Sequence, residues 1–478
     1  MAAPADAAAA LQASTVAPPS ASDDAGALLR NGLRFSGAFA VNEGALLAVI
    51  ALSAALVDPA VAALGNALLY LAFSLGCVAS PAVVRALGLR RSLLLGTSAY
   101  TLYVAAYIVP TAATVPPAAL LAGAAGAVLW TAQGAYFSRN GRLFARARSG
   151  DDASVDAEAR AVTLFATLFA VLFPAVVAAF KAASSLLLVL TRGATPPVYA
   201  ALALAALTSV AVMSGVMPLT EEPHDSSVHA APAEDTPEAH AGLMPADATL
   251  SHSLLRRGVS AVGSSLRELA VAHRDATLLL MLPTNVAFGL CTAFFPYTVT
   301  ILAKDALGAA AVGWLYAAAN VVSALAAAAF GVAAQRVPGC RPAIFAVGAA
   351  AFAGAAGAVF SAGGAPTRGG LFALFSAYGI GIAVWQGTCM AFFGDAFPGR
   401  KALPAFAALK LHSGLASATA FFTLPSAPPR TAAAACVATA LLGFATYLVA
   451  EMRVRAAAAR QTAIVGGAVG TTELQRLL

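Results

Sequence analysis

Ionisable residues are scarce in the long apolar runs of this chain, and the few that occur there are the first candidates for chemistry. Glu43, directly after Asn42, stands about ten residues into the first run, and Lys410 about eight residues into the eleventh. A charge at the centre of a lipid-embedded helix costs about 2.5–3.5 kcal/mol or more unless it is paired or meets water. At a rise of ~1.5 Å per residue, both lie ~12–15 Å from the same membrane face and so share a depth. Such residues suit a solute, proton or cation site. The plainer alternatives are a structural charge pair, or a lysine that snorkels to the membrane edge. Asp395 closes the tenth run near Arg400 and Lys401 and reads as a salt bridge at the rim.

Neutral polar residues are more numerous: Asn42, Asn66, Gln133, Asn285, Asn320 and Gln386 recur inside apolar runs. Two belong to a repeated string. "AVLWTAQGAYFSRNGR" (residues 127–142) carries Trp130 and Gln133, and "IAVWQGTCMAFFGD" (residues 382–395) carries Trp385 and Gln386. Amide carbonyls can coordinate a dehydrated cation, although no spacing here defines such a site. Hydrogen bonding between helices is the alternative use. Nothing points to catalysis, and no cofactor is expected: there is no acid–base pair, nucleophile motif or phosphate-binding loop. "GAAGAV" (residues 123–128) sits inside a run, where glycines serve close helix packing. Cys77, Cys291, Cys340, Cys389 and Cys436 show no metal-ligand spacing and read as packing residues. His224, His229, His240 and His252 are irregularly spaced and interrupted by proline, which argues against a metal site.

The elements that must position these residues follow from composition. The chain has 478 residues, is 60% hydrophobic and 10% charged, and has a mean hydropathy of +0.80. Soluble domains are roughly a quarter charged, so the solvent for this surface is the lipid bilayer. The net charge of +6 comes from short basic clusters between apolar runs and does not mark a nucleic-acid binder. Runs long enough to cross ~30 Å of hydrocarbon lie near 33–57, 61–86, 92–110, 116–138, 160–182, 196–217, 276–303, 307–334, 341–361, 368–394, 402–424 and 429–451. Backbone groups in lipid must be satisfied within the segment, so these runs are expected as helices. The expectation is an all-α membrane protein with twelve transmembrane helices.

Basic residues in the connecting loops divide 22 to 5 between the two sides, with Lys181 counted on the poorer side. The positive-inside rule then puts both termini in the cytosol. The expected domains are a disordered cytosolic segment 1–30, a six-helix bundle 31–217, a cytosolic linker 218–273, a second bundle 274–452 and a cytosolic tail 453–478. Pro, Ala, Ser, His and acids dominate the linker, a composition for disorder. Its end, from about Leu254 to His273, is expected as a short amphipathic helix on the membrane.

The repeated Trp–Gln string falls on the fourth and tenth runs, which are equivalent if the chain is two parallel six-helix repeats. The loops after runs two and eight also correspond. "SPAVVRALGLRRSL" (residues 80–93) and "FGVAAQRVPGCRPAI" (residues 330–344) both set basic residues around a glycine turn, with Arg85, Arg90 and Arg91 in one and Arg336 and Arg341 in the other. The first half, with "LGLRRSLLLGTSAY" and "WTAQGAYF", resembles the uncoordinated-93 family, a divergent branch of the major-facilitator superfamily. "RDATLLLMLPTNVAFGLCTAFFPYTVT" is similar to that family's seventh span. "PAFAALKLHSGLASATAFF" is similar to its eleventh, with Lys410 at the family's lysine position. The similarity covers roughly residues 33–424. The family's Gly–Asn pair is missing from the fifth span, which removes its basis for a ligand contact from that helix.

The resemblance implies a major-facilitator fold, in which spans one, four, seven and ten line a central cavity. Asn42, Glu43, Trp130, Gln133, Asn285, Trp385 and Gln386 are then the expected lining. It implies gating loops at the arginines just named, although the usual acid is absent from both copies. It also implies a regulatory or trafficking partner of an ion channel or receptor, with a role in potassium homeostasis and no enzymatic activity. The alternative is a secondary transporter of a small solute or ion. Finally, "TTELQRLL" ends the chain, and Glu473 with Leu477 and Leu478 has acidic-dileucine spacing, a sorting signal that adaptors read on a mobile cytosolic tail. Plasma membrane and endomembrane both remain open.

Overall fold

The computed structural model describes residues 21–149, 155–219, 260, 262–337, 339–361, 367–397 and 401–477. The linker histidines, Arg400 and Leu478 lie outside them. Among the described residues the regular structure is entirely helical. The long helices are α1 (Ala21–Leu56), α2 (Pro59–Leu87), α3 (Leu89–Ala106), α4 (Val115–Ser149), α5 (Val155–Leu190) and α6 (Thr195–Ser214) in the first half. The second half holds α7 (Ala276–Leu307), α8 (Ala309–Arg336), α9 (Arg341–Ser361), α10 (Arg368–Ala396), α11 (Ala402–Thr423) and α12 (Pro429–Leu477). Ten of these are long and apolar enough to cross a membrane. The exceptions are α3 and α11. One opens on Arg90 and Arg91 and holds Thr97, Tyr100 and Thr101; the other holds Lys410, His412, Ser413 and Ser417. Arg90 and Arg91 are exposed at the start of α3, while Thr97, Tyr100, His412, Ser413 and Ser417 are buried in protein, which lowers the apolarity of both helices.

Local chemistry sets the helix ends. Asp58 caps α2, its Oδ1 accepting from the backbone N–H of Ala60 and Val61 at 2.9 and 3.1 Å, and Thr367 caps α10 in the same way. The turns Gly88, between α2 and α3, and Gly339, between α8 and α9, have φ of +76° and +79°. That is backbone a side chain would strain, which explains the glycine in both basic loops. Two helices carry a π-helical turn, Phe295–Val299 in α7 and Val384–Cys389 in α10. In the first, Pro296 has no N–H to donate, so an extra residue in the turn absorbs the missing bond.

Several boundaries differ from the sequence reading. Segment 21–30 is helical, because Ala25 and Leu28 bury in the first-half core and Asn140 donates to the Leu28 carbonyl. Helix α5 runs through Pro174 to Leu190, so Lys181 is inside the helix and not in an outer loop. Residues 262–272 form a helix that packs on the protein: Leu269 is buried in the second-half core, and His273 Nε2 meets His412 Nε2 of α11 at 2.9 Å. Helix α12 continues to Leu477, where a mobile spacer was expected; "RAAAARQTA" is rich in the strongest helix former.

Three clusters make the core. One draws on the first half alone, around Phe35, Phe39, Tyr103, Tyr136 and Phe165. Another, around Trp385, Phe392, Phe393 and Tyr447, buries only second-half residues. The third is shared: Ala51, Leu52, Ala55, Ala63 and Ala67 pack with Phe294, Phe295, Tyr316 and Phe421. The halves are therefore sealed together at the end where α1 turns into α2. Glycines allow the close approach. A Cβ on Gly313 of α8 would collide with Ser185 Oγ of α5, and one on Gly414 of α11 with Ser74 Oγ of α2.

At the opposite end of the first half, Asn31 Nδ2 donates to Tyr136 OH (2.7 Å) and Asn140 Oδ1 (2.8 Å), while its Oδ1 accepts from Met217 N (2.9 Å). This ties α1 to α4 and to the end of α6. Asn31→Leu should therefore cost about 2–3 kcal/mol by stranding buried polar groups. The check is the thermal unfolding midpoint in detergent; an unchanged midpoint would show the network to be dispensable.

Candidate functional site

Glu43, Trp130, Lys181, Trp385, Gln386 and Lys410 meet at one cavity of about 240 Å³ between the halves. Each position follows from its helix. Asn42 and Glu43 are consecutive on α1, so their side chains diverge by about 100° and only one can face the cavity. Glu43 does, although it is only 2% exposed. Asn42 turns into the first half, where its Nδ2 donates to Ser209 Oγ (2.9 Å), Thr97 O and Thr101 Oγ1 (both 3.2 Å). Asn42 is thus an internal strut between α1, α3 and α6 and does not line the cavity.

The two tryptophans are brought together across the cavity by a single lysine. Lys410 Nζ lies 5.4 Å from the Trp130 ring centre and 5.3 Å from that of Trp385. An ammonium between two indole faces is held by both ring quadrupoles, and desolvation strengthens the attraction. Each tryptophan is fixed in its own half. Phe39 of α1 meets Trp130 edge-on at 5.0 Å, and Phe288 of α7 stacks on Trp385 at 3.6 Å with the rings 7° from parallel. The Trp130 indole also faces the Glu43 carboxylate. Glu43 and Lys410 share the cavity without an ion pair, and Glu43 Oε1 has no hydrogen-bond partner.

Lys181 is the residue that sequence reasoning missed. It is 8% exposed, its Nζ lies 4.9 Å over the Tyr316 ring, and no carboxylate pairs with it among the described residues. The signal was present: a lone lysine in "LFPAVVAAFKAASSLLLVL", which continues mostly apolar for about two and a half further turns. Stopping the span at residue 182 hid it. Helix α5 thus supplies a charged contact even though the family's Gly–Asn pair is absent.

Gln386 lines the cavity, whereas Gln133 is not part of its lining. Trp130 and Gln133 are three residues apart on a regular helix, but Trp385 and Gln386 adjoin within the π-helical turn. The repeated letters therefore do not make equivalent amides. Asn285 also lies off the cavity, fully buried, with neither side-chain polar atom bonded.

None of the loop arginines Arg85, Arg90, Arg91, Arg336 and Arg341 lines the cavity. Arg341 pairs with Asp395 and, at 3.7 Å, with Glu451, which also accepts from Arg455 (2.8 Å) and the Tyr447 hydroxyl (3.2 Å). Asp395 is thus a rim salt bridge, but to Arg341 of α9; Lys401 reaches Asp275 instead. Arg90 donates to the Ser214 carbonyl, and Arg85 and Arg336 are exposed. A wider recess of about 760 Å³ between α7, α9, α10 and α12 has an apolar lining with Arg430 as its single charge, and so carries no comparable chemistry. No group of three metal-ligating residues occurs among the described residues.

The family model of the ion channel regulatory protein UNC-93 matches residues 57–333. A search of curated protein sequences found no match. Among solved structures, the chain is similar to an inward-open conformation of the xylose transporter XylE from E. coli, with 12% identity, 89% of this chain and 96% of that chain covered, and a TM-score of 0.56. It is also similar to a peptide transporter POT in complex with alafosfalin, with 14% identity, 91% and 99% covered, and a TM-score of 0.56. At these identities the likeness establishes the fold: all-helical and of the transporter type.

Proposed function

The chain belongs to the UNC-93 family of ion channel regulatory proteins, and on that premise we propose that it is a membrane-embedded regulatory or trafficking partner of an ion channel or receptor. The observation that carries the reading is Lys410 held jointly by Trp130 and Trp385, one from each half. Whatever occupies the cavity competes for that ammonium and biases the halves between two arrangements, and a regulator needs such a two-state element. The channel would be one that contributes to potassium homeostasis.

The architecture behind this reading is twelve spans in two parallel six-helix bundles, 31–217 and 274–452, with α3 and α11 crossing as well. The Phe39–Trp130 contact of α1 and α4 recurs as Phe288–Trp385 of α7 and α10, which supports the repeat. With Lys181 inside α5 the basic residues divide 22 to 4, and this asymmetry supports cytosolic termini.

Reconstituted alone into liposomes, the purified protein should carry neither ionic current nor solute flux. In cells it should alter membrane conductance, and Lys410→Met should abolish that effect. Flux by the protein alone would overturn the reading in favour of secondary transport. One observation favours that alternative: the mixed buried core of the halves lies at the end where α1 turns into α2, whereas at the other end a half-buried contact from Val78 reaches the second-half cluster, a lighter seal that suits alternating access. If Glu473, Leu477 and Leu478 form a sorting signal, replacing both leucines with alanine should move the protein to the cell surface in fluorescence imaging, after the end of α12 unwinds onto its adaptor. Unchanged localisation would remove the signal.

A further inference from the structure

We propose that the cavity between the halves binds a small monocarboxylate with an apolar body, its carboxylate held by Lys181. The inference rests on reading the cavity as a solute site and names the class of solute. Three acidic or basic side chains line it: Glu43, Lys181 and Lys410. With all three charged, the site has one uncompensated positive charge inside the bilayer, a state that calls for a counter-anion. Lys181 locates the demand. More than nine-tenths buried, it faces the cavity with no carboxylate or hydrogen-bond partner among the described residues, and an aromatic ring is its one close electrostatic neighbour.

Neutral donors stand ready beside it. The phenols of Tyr70 and Tyr378 line the same space and make no hydrogen bond among the described residues. Phe73, Phe173, Phe288 and the two tryptophans, with Leu46, Ile50 and other aliphatic residues, give the space an apolar wall that accepts an apolar body, beside polar groups that include Asn320 and Gln386. The volume is on the order of eight waters, which limits the solute to a small molecule. Glu43 opposes a second negative charge, so a monoanion fits and a dianion does not.

The test is titration of the full-length protein in detergent, read by tryptophan fluorescence. Trp130 and Trp385 line the site, while Trp314, the third tryptophan, is exposed elsewhere. The probes are benzoate, the neutral isostere benzamide and the cation benzylammonium. Benzoate should bind in preference to both, Lys181→Met should weaken it roughly tenfold or more, and Lys181→Arg should restore most of the affinity. Lys181→Met removes an unpaired buried charge, so it should fold at least as well as the parent, and its midpoint without ligand verifies that. If benzamide or benzylammonium binds and benzoate does not, the solute site stands and the carboxylate assignment falls. If none of the three binds, both fall. Full benzoate affinity in a folded Lys181→Met protein also overturns the proposal.

Discussion

Trp385→Ala should lower the stability of the protein by about 3–5 kcal/mol, the range for truncating a buried large aromatic. Trp385 is 5% exposed, stacks on Phe288 at 3.6 Å and forms one wall around Lys410. Alanine would open a void beside a small cavity that already lies behind the ring, lined by Gly348, Phe352 and Phe444. It would also take one indole face from a buried ammonium, a loss of about 1–2 kcal/mol within that total. Trp385→Phe should recover most of the packing and only part of the cation–π attraction. The measurement is thermal unfolding in detergent, with Trp314→Ala on the exposed surface as the control. A Trp385→Ala midpoint within a degree or so of the parent would show that the indole clamp does not hold the halves together.

The three buried charges should rank in a definite order. Glu43→Gln leaves two lysines in one cavity with no acid, and should cost about 2–3 kcal/mol, since an uncompensated buried charge is the expensive state. Adding Lys410→Met to Glu43→Gln removes one of those charges and should recover part of the loss. Lys181→Met leaves Glu43 and Lys410 to balance each other and should be neutral or stabilising. Stability therefore should not fall with the number of substitutions: the double variant should melt above the Glu43→Gln single. Unfolding midpoints at neutral pH and low salt would check the order. A Glu43→Gln protein as stable as the parent would mean that solvent in the cavity screens these charges, and that they do not constrain the fold.

Some of this was written in the sequence. Composition dictated a lipid solvent, because 10% charged residues cannot cover a soluble fold of 478 residues. Run lengths located the helices, since a lipid-embedded backbone must satisfy its own hydrogen bonds. Gly88 and Gly339 marked their turns, and Trp130 and Trp385 stood out because rare residues recurred at matching places. Glu43 and Lys410 were conspicuous as charges in apolar runs, and periodicity put them at one depth.

What the sequence left undecided was direction. Periodicity gives the angle between two side chains on one helix, but not which way the helix is rotated; its neighbours fix that. Asn42 and Glu43 were equal candidates until α3 and α6 packed against one of them, and Asn285 was drawn into the protein interior in the same way. Gln133 and Gln386 follow their tryptophans by three residues and by one, and only the packed helices showed that the second alone reaches the cavity. Lys181 looked like a loop residue until α5 ran about two more turns. Only the tertiary structure could set its ammonium over Tyr316, in the same cavity as Lys410 from the far half of the chain. The charge balance of the site is the sum over residues separated by hundreds of positions, and no local pattern contains that sum.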